Sequence, residues 1–308
     1  MIYPEKLKPG DKIAIISPAT TVRQEYVERA SDMIREAGLV SVVMPHANGP
    51  ACGSYASSEE GRVSDLRDAL RDRSVKAILC ARGGYGCVHL LPRFTPEEIR
   101  ANAKWLIGFS DVSALHALWH KAGVASIHGP MAKHMAEKGV CDPCVRWLLT
   151  LLTESPDMRY VFPGSPYNRE GKAEGMLLGG NLAVLNGLAA TPYDLLTPHI
   201  GDGVILFIED ISEAIYAVER MLIRLSLSGT LHRLRGLIVG QFTEYRGDRN
   251  HSTMEEMIDS LLRRSGIQDM PVAFGFPVGH VDENYPLVEG AEVRLTVTSE
   301  EVRLETIV

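Results

Sequence analysis

The first half of the chain alternates short apolar runs with amphipathic stretches, and this alternation restricts the possible folds more than any other feature. The apolar runs, which we predict to be strands, are Lys12–Ser17, Val40–Met44, Lys76–Cys80, Lys104–Gly108 and Val124–His128. Helical patterns lie between them, at 23–37, 60–73, 95–103 and 111–121. Most of the runs are too continuously apolar for strands with one wet face, so the pattern predicts a parallel sheet covered by helices on both faces.

A polar stretch rich in glycine and proline, 154–171, marks the predicted linker between two domains. Beyond it the sequence predicts strands at 204–208, 237–242 and 271–275, helices at 181–190, 213–228 and 253–265, and a closing hairpin of 292–298 with 301–307. We therefore expect an α/β fold. A flavodoxin-like parallel-sheet domain would occupy residues 1–160, and a smaller C-terminal α/β domain would occupy residues 172–308.

The charge of the chain limits its partners and its location. Its 308 residues carry a formal net charge of −7, with 39 acidic side chains against 32 basic ones, whereas a nucleic-acid partner would be signalled by a basic face. No stretch reaches the ~18 apolar residues of a membrane helix. Charged residues near the N-terminus stand where a signal peptide has its apolar core. We expect a cytoplasmic protein with neither a nucleic-acid nor a membrane partner.

The cysteines predict neither a disulfide framework nor a metal site. There are five of them, an odd number in a chain of this length. Cys141 and Cys144 form a lone CxxC that could be a redox pair, but zinc would need a second pair of ligands. Asp142 and Pro143 between them are typical of a helix cap and a first helical position, which favours a structural role. No cluster of His, Cys and carboxylate shows metal-ligand spacing, so we predict no metal and no organic cofactor.

The run Lys104–Gly108 leads through Phe109 into Ser110, and a helical pattern begins at once behind it. This is the layout of a nucleophile elbow, a sharp strand-to-helix turn that exposes a serine hydroxyl. The start of a helix also offers free backbone N–H groups and a partial positive charge for an oxyanion. However, Val112 stands where the usual elbow has its second glycine, and Ser110 or Asp111 could simply cap the helix. The segment alone leaves catalysis and capping open.

A glycine-rich turn, Arg82-Gly-Gly-Tyr-Gly86, follows the predicted strand at 76–80. Glycines at the carboxyl end of a strand let the backbone approach a ligand closely, and their N–H groups can form an anion nest. The turn lacks the Lys-[Ser/Thr] of a P-loop and the spacing of a dinucleotide fingerprint. An oxyanion or peptide-backbone site fits as well as a phosphate site, and a turn that merely needs positive φ also explains the glycines.

A serine nucleophile needs a base, and the chain contains ten histidines. His128 and His280 both follow apolar runs, on loops at a predicted carboxyl edge of a sheet, where ligand sites of open parallel sheets lie. His116 and His120 point along the flank of the helix behind Ser110, and we interpret them as ordinary helix residues. His128 and His280 therefore stay open as candidates.

The predicted strand 204–208 ends in two carboxylates, Glu209 and Asp210. A carboxylate in this position could orient a histidine and stabilise its imidazolium. A cap or a salt-bridged pair before the next helix explains the same residues. The pattern does not decide between the two acids.

Together these segments resemble the LD-carboxypeptidase family, over essentially the whole chain. The matching motifs are, in chain order, Lys8–Pro18, Ala81–Gly86, Gly108–Asp111, His128–Pro130, Gly179–Leu182, Leu206–Asp210 and Gly275–His280. The resemblance implies a Ser-Glu-His triad formed by Ser110, Glu209 and His280. It also implies oxyanion donors on the backbone of Gly84 and Asp111. Gly83 and Tyr85 complete the predicted substrate-binding turn.

The family implies a reaction, hydrolysis of the L,D-amide bond that releases terminal D-alanine from murein tetrapeptides during peptidoglycan recycling. We therefore expect a murein peptide substrate, an active site shared by the two domains and, as in many members, a homodimer. Two alternatives stay open. One is a self-immunity peptidase that cleaves aminoacyl-nucleotide antibiotics of the microcin type, and the other is a catalytically silent peptide-binding module on the same fold.

A histidine base predicts that activity falls in acid. Its protonated ring could not accept the serine proton, so the rate should decline with an apparent pKa of roughly 6–7, the ordinary range for histidine. The measurement is kcat/KM as a function of pH. A rate that stays flat between about pH 5 and pH 8 would argue against a histidine base.

Overall fold

The computed structural model describes residues 1–197, 199 and 203–307. The chain divides into two compact units. The first unit consists of Met1–Pro156 and Glu283–Gly290. The second unit consists of Asp157–Asp282 and the chain from Ala291 on.

The sheet of the first unit is built from the strands that the apolar runs predict. They are β1 (Lys12–Ile16), β2 (Val40–Val43), β3 (Val75–Cys80), β4 (Trp105–Gly108) and β5 (Ser126–His128). Their order is β2-β1-β3-β4-β5, and every neighbouring pair is parallel. This is the flavodoxin-like strand order, so the predicted fold of the N-terminal domain is confirmed.

The helices of the first unit are α1 (Gln24–Glu36), α2 (Glu59–Arg71), α3 (Pro96–Ala101), α4 (Ser113–Lys121), α5 (Ala132–Lys138) and α6 (Pro143–Thr153). Side-chain capping fixes where some of these helices begin. The Ser58 side chain accepts the Gly61 N–H at the start of α2, and Asp142 accepts two N–H groups at the start of α6. Asp142 is therefore a helix cap, as the sequence predicts, and the CxxC segment forms a helix start. No helix in the described part of the chain has both the length and the apolarity to cross a membrane.

Helix α4 is tied to strand β4 at both ends. The buried Trp119 indole N–H donates to the carbonyl of Lys104, just before β4 begins, at 3.0 Å. The buried His116 ring donates through Nε2 to the carbonyl of Gly108, where β4 ends, at 2.9 Å. These two bonds fix the turn that joins β4 to α4, and Ser110 lies in that turn.

The second unit contains the strands β6 (Arg159–Pro163), β7 (Gly171–Asn181), β8 (Val204–Ile211), β9 (Gly236–Thr243) and β10 (Val272–Gly279). Its helices include α7 (Leu182–Gly187), α8 (Ile215–Leu227) and α9 (Met254–Arg264). Strands β7, β8, β9 and β10 are adjacent and parallel. Their carboxyl ends therefore meet at one edge of the sheet.

After β10 the chain returns to the first unit. Strand β11 (Leu287–Glu289) pairs antiparallel with β5 at the edge of the first sheet. The sequence pattern predicts this segment as part of the C-terminal domain, because a strand of three residues has too little periodicity to be recognised. Its buried side chains belong instead to the core of the first unit.

The chain ends with β12 (Glu292–Val297) and β13 (Glu301–Thr306), an antiparallel hairpin as predicted. β12 pairs with β7 and β13 pairs with β6, both antiparallel. Strand β6 lies inside the predicted linker, 154–171, so part of that polar stretch is an edge strand. Pro163 at its end is compatible with an edge position, because proline cannot donate to a sheet ladder.

Close packing of β7 on β8 explains why Gly179 is a glycine. A Cβ at this position would lie 1.9 Å from the Phe207 carbonyl oxygen. We expect Gly179→Ala to lower the free energy of unfolding by about 1–3 kcal/mol, as overpacking does. Gly187→Ala is the control, since a Cβ there meets nothing within 4 Å. Thermal melting tests this, and equal melting temperatures for the two variants would contradict it.

Candidate active site

Ser110 lies on a sharp turn between β4 and α4. Phe109 is extended, with φ −148° and ψ −171°, and Ser110 then has φ 65°, in the left-handed region. A serine in this region costs about 1–3 kcal/mol and persists only where its surroundings hold it. A short 3-10 turn, Ser110–Val112, leads into α4, and neither helical start carries a side-chain cap. The backbone therefore has the strained geometry of an elbow, and Ser110 does not cap the helix.

The glycine turn after β3 packs directly against Ser110. A Cβ on Gly83 would lie 2.8 Å from the Ser110 Cβ and 2.9 Å from its Oγ. The same Cβ would lie 3.4 Å from the backbone nitrogen of Asp111. Gly84 has φ 113°, and a Cβ there would lie 2.1 Å from Thr20 Oγ1. The structure thus brings Gly83 and the backbone of Asp111 next to the Ser110 hydroxyl.

Thr20 holds the middle of the glycine turn, a role that the sequence motifs do not predict. Its N–H donates to the Gly83 carbonyl at 3.4 Å, and its hydroxyl accepts the Tyr85 N–H at 3.2 Å. The Tyr85 N–H is therefore bonded within the protein. Thr20 could have been suspected from its position shortly after β1, because the carboxyl ends of parallel strands share one edge of the sheet.

Arg62 holds the end of the turn. This side chain is only 2% exposed, and its Nη1 donates to the carbonyls of Gly86 at 2.9 Å and Pro18 at 2.6 Å. Its guanidinium also lies 4.9 Å from the ring centre of Tyr55. Nothing in the local sequence predicts this role, because an arginine in an amphipathic helix normally faces water.

The Asp111 carboxylate links the serine turn to the glycine turn. It is buried and accepts the N–H of Cys87, the residue after Gly86, at 2.8 Å. Burial raises the pKa of Asp111, while the hydrogen bond from Cys87 opposes that rise. The side chain of Asp111 thus has a structural use, separate from the backbone N–H that the family resemblance implies for it.

The Tyr85 side chain extends from the glycine turn and is 55% exposed. Its ring centre lies 5.3 Å from that of His89 and 6.2 Å from that of Tyr55. Tyr55 and His89 also contact each other edge to face, at 5.5 Å. The three rings form an aromatic surface beside the turn.

Glu209 and His280 meet at the carboxyl edge of the second sheet. His280 Nδ1 lies 2.7 Å from Glu209 Oε2, and the Glu209 side chain is completely buried. A carboxylate at Nδ1 favours the tautomer that carries its proton there and leaves Nε2 as the basic nitrogen. The structure therefore brings together two of the three predicted triad residues as an acid–base pair.

The backbone around this pair is shaped to bring it together. Gly279 has φ 120°, and a Cβ there would lie 2.8 Å from both Cβ and Oε2 of Glu209. The register of β8 against β9 shifts between Ile208 and Asp210, where Glu209 lies. Such irregularities re-aim side chains at the edges of sheets.

Asp210 has a different use from its neighbour. Its carboxylate accepts the side-chain amide of Asn181 at 2.9 Å and the N–H of Ala183 at 2.8 Å, at the start of α7. It also accepts the N–H of Ile211. Burial raises the pKa of Asp210 to about 6. Of the two acids that the sequence leaves open, Glu209 is the one that pairs with a histidine candidate for the base.

The other histidine candidate, His128, is completely buried in the first unit. Its ring centre lies 5.9 Å from that of Phe109 and 6.3 Å from that of His116. His116 is also fully buried, so it is not the ordinary flank residue that its place in the helical pattern suggests.

The serine and glycine turns belong to the first unit, and the Glu209–His280 pair belongs to the second.

A surface cavity of the second unit lies away from this pair. It is lined by residues such as Lys172, Arg235 and Asp269, near the amino ends of β7, β9 and β10. Glu209 and His280 lie at the carboxyl ends of the strands, so the cavity has no part in their chemistry.

Comparison with known proteins identifies the family. The profile of the LD-carboxypeptidase N-terminal domain matches residues 13–129, and that of the C-terminal domain matches residues 174–295. This chain belongs to the LD-carboxypeptidase family, which makes it a hydrolase by class.

Individual proteins are similar over most of their length. The murein tetrapeptide carboxypeptidase of Pseudomonas aeruginosa is 30% identical over 89% of each chain. The crystal structure of muramoyltetrapeptide carboxypeptidase from Oxalobacter formigenes has a TM-score of 0.85 and 28% identity, covering 96% of this chain and 98% of that one. The microcin C7 self-immunity protein MccF shares the fold, with a TM-score of 0.85 and 21% identity over 100% of this chain and 99% of that one.

The contact between Gly83 and Ser110 predicts a variant that damages the site without damaging the fold. In Gly83→Ala the new methyl group would meet the serine side chain, so Ser110 must shift. A displacement of about 1 Å can cost roughly 10²-fold in rate, so we expect a fall in kcat/KM of that order. Gly187→Ala, the open position in α7, should keep full activity. The assay is peptide hydrolysis with thermal melting alongside. Full activity in Gly83→Ala would contradict the assigned position of the serine.

Proposed function

We propose that this protein is a serine carboxypeptidase that removes the terminal D-alanine from murein tetrapeptides by hydrolysing an L,D-amide bond. Ser110 is the nucleophile, His280 the base and Glu209 the acid that orients it. The observation that carries the proposal is the 2.7 Å hydrogen bond between His280 and the buried Glu209 carboxylate, in a chain of the LD-carboxypeptidase family. The strained backbone of Ser110 supports the choice of nucleophile.

In the first half of the reaction, Ser110 Oγ attacks the carbonyl carbon before D-alanine, and Nε2 of His280 takes the hydroxyl proton. The tetrahedral oxyanion is held by the backbone N–H groups of Gly84 and Asp111. The C–N bond then breaks, and His280 gives its proton to the departing amine. In the second half, water attacks the acyl-enzyme, His280 takes a proton from it, and Ser110 regains its hydroxyl proton as the shortened peptide leaves.

Glu209 acts on His280 rather than on the substrate. Its buried carboxylate accepts the Nδ1 proton and stabilises the imidazolium that forms during each proton transfer. Tyr85, with its exposed ring next to the glycine turn, is the side chain that we propose contacts the peptide. The homodimer and the cytoplasmic location stay predictions.

Relatives also support a murein peptide as the substrate, because both the Pseudomonas and the Oxalobacter protein carry this activity in their names. The likeness to the self-immunity protein is at 21% identity and shows the fold alone. The substrate experiment therefore compares three compounds. They are a murein tetrapeptide ending in D-alanine, the same peptide ending in L-alanine, and an aminoacyl sulfamoyl adenosine. We expect release of D-alanine from the first compound only. Cleavage of the third alone would establish the self-immunity activity, and cleavage of none would favour a silent binding module.

The triad predicts a pattern among three variants. Ser110→Ala should lower kcat/KM by ~10⁴–10⁶ and Glu209→Gln by about 10⁴, as in other serine hydrolases. Ser58→Ala is the matched control, because Ser58 is a true helix cap whose loss costs only about 1 kcal/mol of stability.

The readouts are D-alanine release and thermal melting. Ser58→Ala should melt earlier and keep its activity, whereas Ser110→Ala should melt near the wild type and lose it. Turnover that survives in Ser110→Ala would place the nucleophile elsewhere.

A further inference from the structure

We propose that the first unit binds a divalent transition-metal ion of the zinc type at a buried site formed by His116, His128 and Glu289. The site is structural and takes no part in the serine chemistry. It goes beyond the proposed function, and it is independent of which peptide the enzyme cleaves.

The three side chains come from three elements, α4, β5 and β11. One possible ligand atom from each lies within 4.8 Å of the others, and the residues are 0%, 0% and 2% exposed. His116 Nδ1 lies 3.7 Å from Glu289 Oε1. Tetrahedral zinc with ligands at 2.0–2.1 Å holds neighbouring ligand atoms about 3.3 Å apart. This pair needs to close by only about 0.4 Å to meet that geometry.

The ring of His116 is already oriented as metal-binding histidines are. Its Nε2 donates to the Gly108 carbonyl at 2.9 Å, so Nδ1 carries no proton and is the nitrogen that can bind a metal; in the metal-free chain it accepts the Ser126 hydroxyl at 2.8 Å. A backbone carbonyl on the other ring nitrogen is the usual outer partner of a histidine ligand, since it fixes the tautomer.

The donor set indicates the class of metal. Two imidazoles and one carboxylate suit zinc and its neighbours in the first transition row, whereas calcium and magnesium prefer oxygen ligands alone. A cation there would also interact favourably with the buried Glu289 carboxylate. Full burial of the ligands matches a closed structural site rather than a catalytic one with an open position.

At this location the ion would cross-link three elements of the first unit. Glu289 lies on β11, the strand that returns from the second unit, and β11 pairs only through three residues with β5. A metal would join β11 to β5 and α4. Through His116 it would also act on Gly108, two residues before Ser110. No local sequence motif marks this site, because its ligands lie far apart along the chain.

The test uses the full chain without an affinity tag, produced in zinc-supplemented medium. Cys52 and Cys141 are exposed and could bind zinc adventitiously, so both are replaced by serine in every sample. Bound metal is measured by mass spectrometry after dialysis against a weak chelator. We expect about one zinc per chain and a lower melting temperature once a strong chelator has removed it.

Glu289→Gln keeps the shape of the side chain and removes its charge, and it should lose the zinc. His120→Gln is the matched control, because His120 lies on the same helix outside the cluster and should leave the zinc content unchanged. Wild-type protein without stoichiometric zinc would overturn the proposal, as would equal zinc in the wild type and Glu289→Gln. If Glu289→Gln does not fold, His128→Gln takes its place, and the wild-type zinc content is decisive in either case. None of these readouts uses peptide hydrolysis, so the result does not depend on the proposed function.

Discussion

The left-handed backbone of Ser110 is the constraint on which the rest of the first unit depends. A strained serine persists only if the segments on both sides are held more tightly than the strain can relax them. The bonds from Trp119 and His116 hold the start and the end of β4, and the Asp111 carboxylate holds the segment after the serine. The buried hydrogen bonds around α4 therefore keep Ser110 in its strained conformation.

In the second unit, two adjacent buried carboxylates have different hydrogen-bond partners. Glu209 and Asp210 follow each other in β8, and both are buried. Asp210 accepts hydrogen bonds from Asn181 and two backbone N–H groups, so it organises the start of α7. Glu209 is left to meet His280, which Gly279 allows to approach. Two similar residues thus acquire different roles because neighbouring residues in a strand point to opposite faces.

The chain does not divide into two continuous domains. Strand β11 leaves the second unit and completes the first sheet beside β5, and the chain then returns to form β12 and β13. The proposed metal site lies where this return segment meets α4 and β5. The proposed ion would add to the attachment of this return segment, which pairs with β5 through three residues.

The sequence by itself determined the local features of this protein. Apolar runs and amphipathic stretches predict the parallel sheet, and the change from strand to helix at Ser110 predicts the elbow, because both depend on residues close together in the chain. Local patterns left open which acid meets which histidine, the family resemblance implied Glu209 and His280, and the tertiary structure shows their hydrogen bond. Only the tertiary structure decided how Thr20 and Arg62 hold the glycine turn, and that His116, His128 and Glu289 share one buried site. Strands β6 and β11 were also recognised only in the tertiary structure, because a polar edge strand and a three-residue strand lack a clear hydrophobic periodicity. These features arise from contacts between distant segments, and such contacts leave no pattern in any short stretch of sequence.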